Sequence, residues 1–128
     1  MWKDFYLYAG GTVTASGSGS KIQVRNNLHI FGTLTAPNGG HNRFILKGGF
    51  NLYNSGTFNH NNGTVTMTPR WRGTTGAAIR IDAGPGTGRN FYNLIKAGNK
   101  NVTITTNDIK IENNLTAWGV GKIRAQSN

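Results

Sequence analysis

Apolar and polar positions alternate with period two in short bursts along the whole chain. The bursts are Thr12-Val13-Thr14, Lys21-Ile22-Gln23-Val24, Leu28-His29-Ile30, Phe44-Ile45-Leu46, Phe50-Asn51-Leu52 and Gly63-Thr64-Val65-Thr66-Met67. They resume at Ile79-Arg80-Ile81, Asn101-Val102-Thr103-Ile104 and Ile109-Lys110-Ile111. Alternation in β-branched and aromatic residues, bounded by Gly, Asn, Ser or Pro, predicts strands. Apolar spacing of three and four residues is not sustained anywhere, so few or no helices are expected. Between the bursts lie Asn26-Asn27, Pro37-Asn38-Gly39-Gly40, Asn54-Ser55-Gly56, Asn61-Asn62-Gly63 and Gly84-Pro85-Gly86. Asn and Gly tolerate positive φ, which tight corners require. The chain is read as all-β.

It also repeats itself. Ile22-Gln23-Val24-Arg25-Asn26-Asn27-Leu28 with Gly32 matches Ile109-Lys110-Ile111-Glu112-Asn113-Asn114-Leu115 with Gly119, at offsets 109 − 22 = 87 and 119 − 32 = 87. Phe5-Tyr6-Leu7 matches Phe91-Tyr92-Asn93-Leu94, offset 91 − 5 = 86, with small insertions in the turns. An internal repeat thus relates about 5–36 to about 91–123 within a single domain, 1–128. Four coils in that interval give roughly 22 residues each, the scale of a β-solenoid coil. In such a fold each coil lies about 4.8 Å above the last and inward apolar side chains stack in columns. Ile22, Val24, Leu28, Val65, Ile79, Ile81, Leu94, Val102, Ile109, Ile111 and Leu115 are the expected columns. Asn26, Asn27, Asn61, Asn62, Asn113 and Asn114 are the expected corners. A β-sandwich is the alternative, since it too has short strands with regular turns.

Composition narrows the chemistry. The 128 residues include no Cys, which removes disulfide scaffolds, zinc fingers and thiol nucleophiles. The 14 Lys and Arg outnumber 4 Asp and Glu, for a formal charge of +10. The carboxylates Asp4, Asp82, Asp108 and Glu112 are too few for paired-carboxylate hydrolysis or a calcium cage to be the first expectation. The basic residues are scattered singly, so weak contact with an acidic polysaccharide or other polyanion is expected, and specific nucleic-acid recognition is not. No segment has the length and apolarity of a membrane span. Met1-Trp2-Lys3-Asp4-Phe5 lacks the features of a secretory signal, so an export signal is expected outside this chain.

Phe91-Tyr92-Asn93-Leu94, Val102-Thr103, Ile109 to Leu115, Gly56-Thr57-Phe58-Asn59 and Gly63-Thr64-Val65-Thr66-Met67 follow one another as short, degenerate motifs over nearly the whole chain. In this the chain resembles the β-solenoid repeats of large bacterial surface and secreted proteins, though Phe5-Tyr6-Leu7 lacks the Asn of the first element. The resemblance implies a right-handed parallel β-helix, an extracellular or cell-surface location and a structural or adhesive role. It brings no catalytic residues and no cofactor. The sequence shows no polar cap before Phe5-Tyr6-Leu7 or after Lys122-Ile123-Arg124, although solenoid ends expose strand edges. These six residues are the expected stacking ends, against copies of the chain or neighbouring repeats. Head-to-tail contact that does not close gives a filament.

Other features are weighed against this reading. Arg70-Trp71-Arg72 is the most conspicuous polar-aromatic cluster, suited to stacking on a sugar while guanidinium groups hold an anion, or to packing on a neighbouring coil. Gly84-Pro85-Gly86-Thr87-Gly88-Arg89 lacks the Lys-Ser/Thr pair and the following helix of a phosphate loop and reads as a turn. His29, His41 and His60 show no metal-ligand spacing. Asn62-Gly63-Thr64, Asn101-Val102-Thr103 and Asn114-Leu115-Thr116 fit the glycosylation triplet, which Thr-rich strands after Asn turns also produce by chance. The leading expectation is a non-enzymatic structural module. An adhesive or carbohydrate-binding module and a phage fibre or capsid-decoration component stand as alternatives. Polysaccharide lyases share the fold, but a fold alone does not carry an activity.

Overall fold

The computed structural model describes residues 3–68, 79–83, 90–105 and 107–125. The Val, Ile, Thr and Phe bursts form fourteen short strands among these residues, and no helix. The first rung holds β1 (Phe5–Leu7), β2 (Thr12–Thr14) and β3 (Ile22–Val24). The second holds β4 (Leu28–Ile30), β5 (Thr33–Thr35) and β6 (Phe44–Leu46), and the third β7 (Phe50–Leu52), β8 (Thr57–Asn59) and β9 (Thr64–Met67). Then follow β10 (Ile79–Ala83), β11 (Asn90–Lys96), β12 (Val102–Thr105), β13 (Lys110–Ala117) and β14 (Ile123–Ala125).

Every strand pairing among the described residues is parallel. The strands form three sheets: sheet A in the order β1-β4-β7-β10-β12-β14, sheet B in the order β2-β5-β8, and sheet C in the order β13-β11-β9-β6-β3. The chain is therefore a β-solenoid of about five turns, and not a sandwich, whose sheets would be antiparallel. Phe5 pairs with Leu28 and Leu28 with Phe50, so the rungs are 28 − 5 = 23 and 50 − 28 = 22 residues long. The coil between β7 and β10 is longer, with Phe50 under Ile81 at 81 − 50 = 31.

The register defines the core. In sheet A the inward column runs Phe5, Leu28, Phe50, Ile81, Ile104 and Ala125. In sheet C it runs Ile22, Phe44, Val65, Leu94 and Leu115. Phe50 meets Phe58 and Phe91 edge-on, with centroids 5.1 and 5.0 Å apart, and this places aromatic rings from all three sheets at the centre. Such edge-to-face pairs add about 0.5–1.5 kcal/mol each beyond area burial. Of the expected core, Val24, Leu28, Val65, Ile81, Leu94 and Val102 are buried, and Ile22, Ile109 and Ile111 pack against them. Ile79 supplies backbone to β10, and its side chain lies outside the described residues. Leu115 differs from expectation: it pairs with buried Leu94, yet β13 is the last strand of sheet C and leaves Leu115 exposed.

The corners also separate. Asn61 and Asn62 occupy the left-handed region, φ 51° and 53°, and turn the chain between β8 and β9. Asn26 and Asn27 turn it from sheet C to sheet A, with Asn27 Oδ1 accepting the Gly49 N–H of the next rung at 2.8 Å. Asn113 and Asn114 are not a corner. They lie inside β13, where the pairing with β11 shifts by one residue and the Asn113 amide donates to Asn93 Oδ1 at 2.8 Å. The side-chain ladder holds that segment extended where Asn26-Asn27 bends. Residues 22–28 thus cross from sheet C to sheet A, whereas 109–115 continue into and along sheet C. Gly98 and Gly119 stack one rung apart with φ +81° and +82°. A Cβ on Gly119 would stand 2.5 Å from the Gly98 carbonyl, so this corner needs glycine for both space and conformation.

Candidate interaction surfaces

Stacked columns bury each side chain between the rungs above and below, so what matters at an end is the residue lacking one of those neighbours. In sheet A, Leu28, Phe50 and Ile81 are at most 1% exposed, but Phe5 of the first rung is 42% exposed. In sheet C, Phe44, Val65 and Leu94 are at most 2% exposed, but Leu115 is 53% exposed. The inward columns end on bare apolar side chains at opposite ends. β1, β2 and β3 form one set of sheet edges, and β13 and β14 form edges at the other. Among the expected stacking residues, Phe5, Tyr6 and Leu7 make up β1, while Ile123 and Arg124 begin β14. Lys122 leads into β14, its N–H donating to Asn101 Oδ1 at 2.9 Å.

One side of the solenoid carries an aromatic ladder. Tyr6 and His29 occupy adjacent rungs of one outward column, and their rings stack at 4.4 Å and 6°. Phe31 and Tyr53 stack at 4.0 Å and 7°, and Tyr8 extends that row at 6.5 Å from Phe31. Tyr6 and Tyr8, at the first-rung end, are exposed.

Beneath the ladder, Asp4 Oδ2 lies 2.8 Å from His29 Nε2, and His29 Nδ1 lies 2.9 Å from the Tyr53 hydroxyl. The carboxylate favours the proton on Nε2, which leaves Nδ1 to accept from Tyr53. Asp4 Oδ1 accepts from the Asn26 amide at 2.6 Å and from the Asn27 N–H at 3.1 Å. Burial alone would raise the Asp4 carboxyl, but the His29 and Asn27 hydrogen bonds and the His29 charge bring it below its ordinary 3.8. Burial, followed by the nearness of Tyr6, Asp82 and Asp4, pushes the Tyr53 phenol above 10.0. Chemically this chain is a protonated phenol, an oriented imidazole and a satisfied carboxylate, an arrangement that locks the first rung onto the second and third.

A second His–carboxylate pair stands on another face. His60 Nε2 meets Glu112 Oε2 at 2.5 Å, His60 Nδ1 accepts the Asn62 N–H at 3.0 Å, and Glu112 Oε1 accepts from the Asn90 amide at 3.2 Å. An open cleft of ≈ 340 Å³ lies alongside, lined by Phe58, Asn59, His60, Asn61 and Asn90. Among the described residues no three His, Asp or Glu side chains gather as a metal-binding set. No helix among them is long and apolar enough to cross a membrane. Arg70-Trp71-Arg72 and the 84–89 turn lie outside the described residues.

The ladder and both His–carboxylate pairs were missed by motif reading. Their signal exists in the sequence, since Tyr6 and His29 are 29 − 6 = 23 apart and Tyr8 and Phe31 are 31 − 8 = 23 apart, one rung in each case. It becomes visible only once the rung length is known. Lys96 was also missed. It takes the inward place of Met67 one rung on, is fully buried, and donates to the Gly98 carbonyl at 2.5 Å. Burial pushes its ammonium below the ordinary 10.5.

Comparison of the chain with known protein families, with curated proteins and with solved structures finds no match.

Proposed function

We propose that this chain is a non-enzymatic structural module of an extracellular or cell-surface β-solenoid protein, bacterial by resemblance, which works by stacking end to end with its own kind. The observation that supports this reading is the bare termination of both apolar columns, at Phe5 and at Leu115. A rung added at either end covers such a side chain. It also satisfies strand-edge groups, each new backbone hydrogen bond contributing about 0.5–1.5 kcal/mol. The role is mechanical, with the backbone ladder and the side-chain columns continued across each junction. Sedimentation and negative-stain electron microscopy over a concentration series test it. Rods that lengthen with concentration support the reading. Monomers at every concentration overturn it, and a discrete trimer favours a fibre or capsid component.

The exposed Tyr6 and Tyr8 and the amide-lined cleft at His60 favour a second reading, an adhesive module that binds glycans on its exterior. A glycan array read with the native chain, Tyr8→Ala, His60→Ala and Trp71→Ala tests it. Binding that all three variants leave unchanged, or no binding at all, rejects it.

A further inference from the structure

One outward column of sheet A carries opposite charges at its two ends. The register places Asp4, Asn27, Gly49, Arg80, Thr103 and Arg124 above one another. Arg80 pairs with Thr103 and Thr103 with Arg124, while Phe5, Leu28, Phe50 and Ile81 fix the residues that precede them. The backbone bonds Phe5 N–H to Asn27 O and Leu28 N–H to Gly49 O, 2.8 and 2.9 Å, hold that column in step. Asp4, one of four carboxylates in the chain, therefore stands on the first rung, and Arg124 stands exposed on the last strand of the same sheet. The adjacent inward column runs from Phe5 to Ala125, a large ring at one end and a small methyl at the other.

We infer that two copies of this chain join head to tail in a single register, β14 of one copy pairing in parallel with β1 of the next, so that Arg124 lies one rung from Asp4 and Ala125 covers Phe5. This rests on the stacking reading above and specifies how the stack is formed. A slip of one residue would set Arg124 over Phe5 or Lys3 and turn an outward charge toward the apolar column, since strand side chains alternate between faces. The match continues sheet A: with six strands in sheet A and five in sheet C, β14 stands one rung beyond β13, and the next copy's β3 lies two rungs from β13. The β2 edge presents Thr12 and Thr14, whose hydroxyls suit exposure to water.

Each copy carries +10, and Lys3 and Lys122 flank the pair, so general repulsion opposes the junction. The two effects differ in range. Repulsion between whole copies acts over more than the Debye length of about 8 Å at physiological salt and is screened, whereas charges about 5 Å apart at the junction still attract.

The test uses that difference in sign. Arg124→Glu and Lys47→Glu each lower the formal charge from +10 to 10 − 2 = +8. Lys47 belongs to the second rung, away from both ends. If charge acts only through the total, both variants assemble more readily than the native chain. The proposed register requires the opposite for Arg124→Glu, which sets Glu against Asp4. Its critical concentration, measured by sedimentation in 0.15 M salt, rises about tenfold above native, while that of Lys47→Glu stays level or falls. Adding Asp4→Asn to Arg124→Glu removes the repulsion while its one amide oxygen still accepts the Asn27 N–H, and recovers most of the loss. Thermal melts confirm that each variant is folded. Native assembly with Arg124→Glu equal to or better than Lys47→Glu overturns the register and leaves stacking intact. Failure of the native chain to assemble overturns both.

Discussion

His29 lies flat against Tyr6, 4.4 Å between ring centroids and 6° between planes, while its Nε2 meets Asp4 at 2.8 Å. One imidazole thus joins the first rung to the second twice, by stacking and by a hydrogen bond, and reaches the third through Tyr53. Removing the ring should loosen the first rung first. His29→Ala is expected to cost about 1–3 kcal/mol, because Asp4 and Tyr53 then lose their shared partner. Amide exchange should show the loss concentrated in Phe5–Leu7, and uniform protection across the rungs would count against it.

Acid should act through Asp4. Its carboxyl is lowered below 3.8 in the folded chain, so its contribution to stability is present above that value and fades as pH falls through the lower folded value. Asp4→Asn should flatten this limb of the melting-temperature profile as pH falls through and below 3.8, with little change near neutrality beyond a constant offset. Parallel acid limbs in the two proteins would show that other groups govern acid unfolding.

Lys96 has the opposite consequence. Its folded value lies below 10.5, so the folded state binds the proton less readily than the unfolded chain, and stability rises as pH climbs toward 10.5. Lys96→Met continues the column of Val24, Leu46 and Met67. It should stabilise the chain by about 1–3 kcal/mol at neutral pH and remove the alkaline rise, since a buried cation is exchanged for an apolar chain of similar length. A lower melting temperature would mean that the bond to the Gly98 carbonyl outweighs the burial cost.

These residues also mark what the sequence can disclose. Strands, turns and the coil size of about 22 follow from alternation and punctuation, because a side chain's inward or outward place has period two whatever lies above it. Which rung a residue stacks on is set by corner length, and corners are written in Asn and Gly that serve equally as turn and as strand. Asn26-Asn27 bends and Asn113-Asn114 runs straight, although the surrounding seven residues look alike. The cause is the partner rung: Asp4 and Gly49 engage the first pair, and the Asn93 amide extends the second. The same dependence hid Asp4–His29–Tyr53, whose members are adjacent only through stacking. Lys96 was hidden for another reason, since a lysine within a strand ordinarily reads as an outward position.

The glycine corner gives a sharper local test. Gly119→Ala introduces a Cβ 2.5 Å from the Gly98 carbonyl at φ +82°, whereas a Cβ on Gly40 meets nothing within 4 Å. The first substitution should cost about 1–3 kcal/mol and the second less than about 1 kcal/mol. Equal melting temperatures would show that the corner relaxes without cost.

Column position should decide the cost of losing a phenylalanine. Phe5 and Phe50 share the inward column of sheet A, two rungs apart, and differ only in what covers them. Phe50 is closed on both sides and touches Phe58 and Phe91, so Phe50→Ala opens a cavity that neighbouring rungs cannot fill, and about 3–5 kcal/mol is expected. Phe5 is 42% exposed, so Phe5→Ala should cost the isolated chain less than about 1 kcal/mol. In a stack the same ring is covered by the next copy, and the variant should then weaken association several-fold while leaving the monomer's melting temperature nearly unchanged. That pairing of outcomes separates a surface used for contact from one that is merely uncovered. If Phe5→Ala assembles as the native chain does, the first rung is not where copies meet.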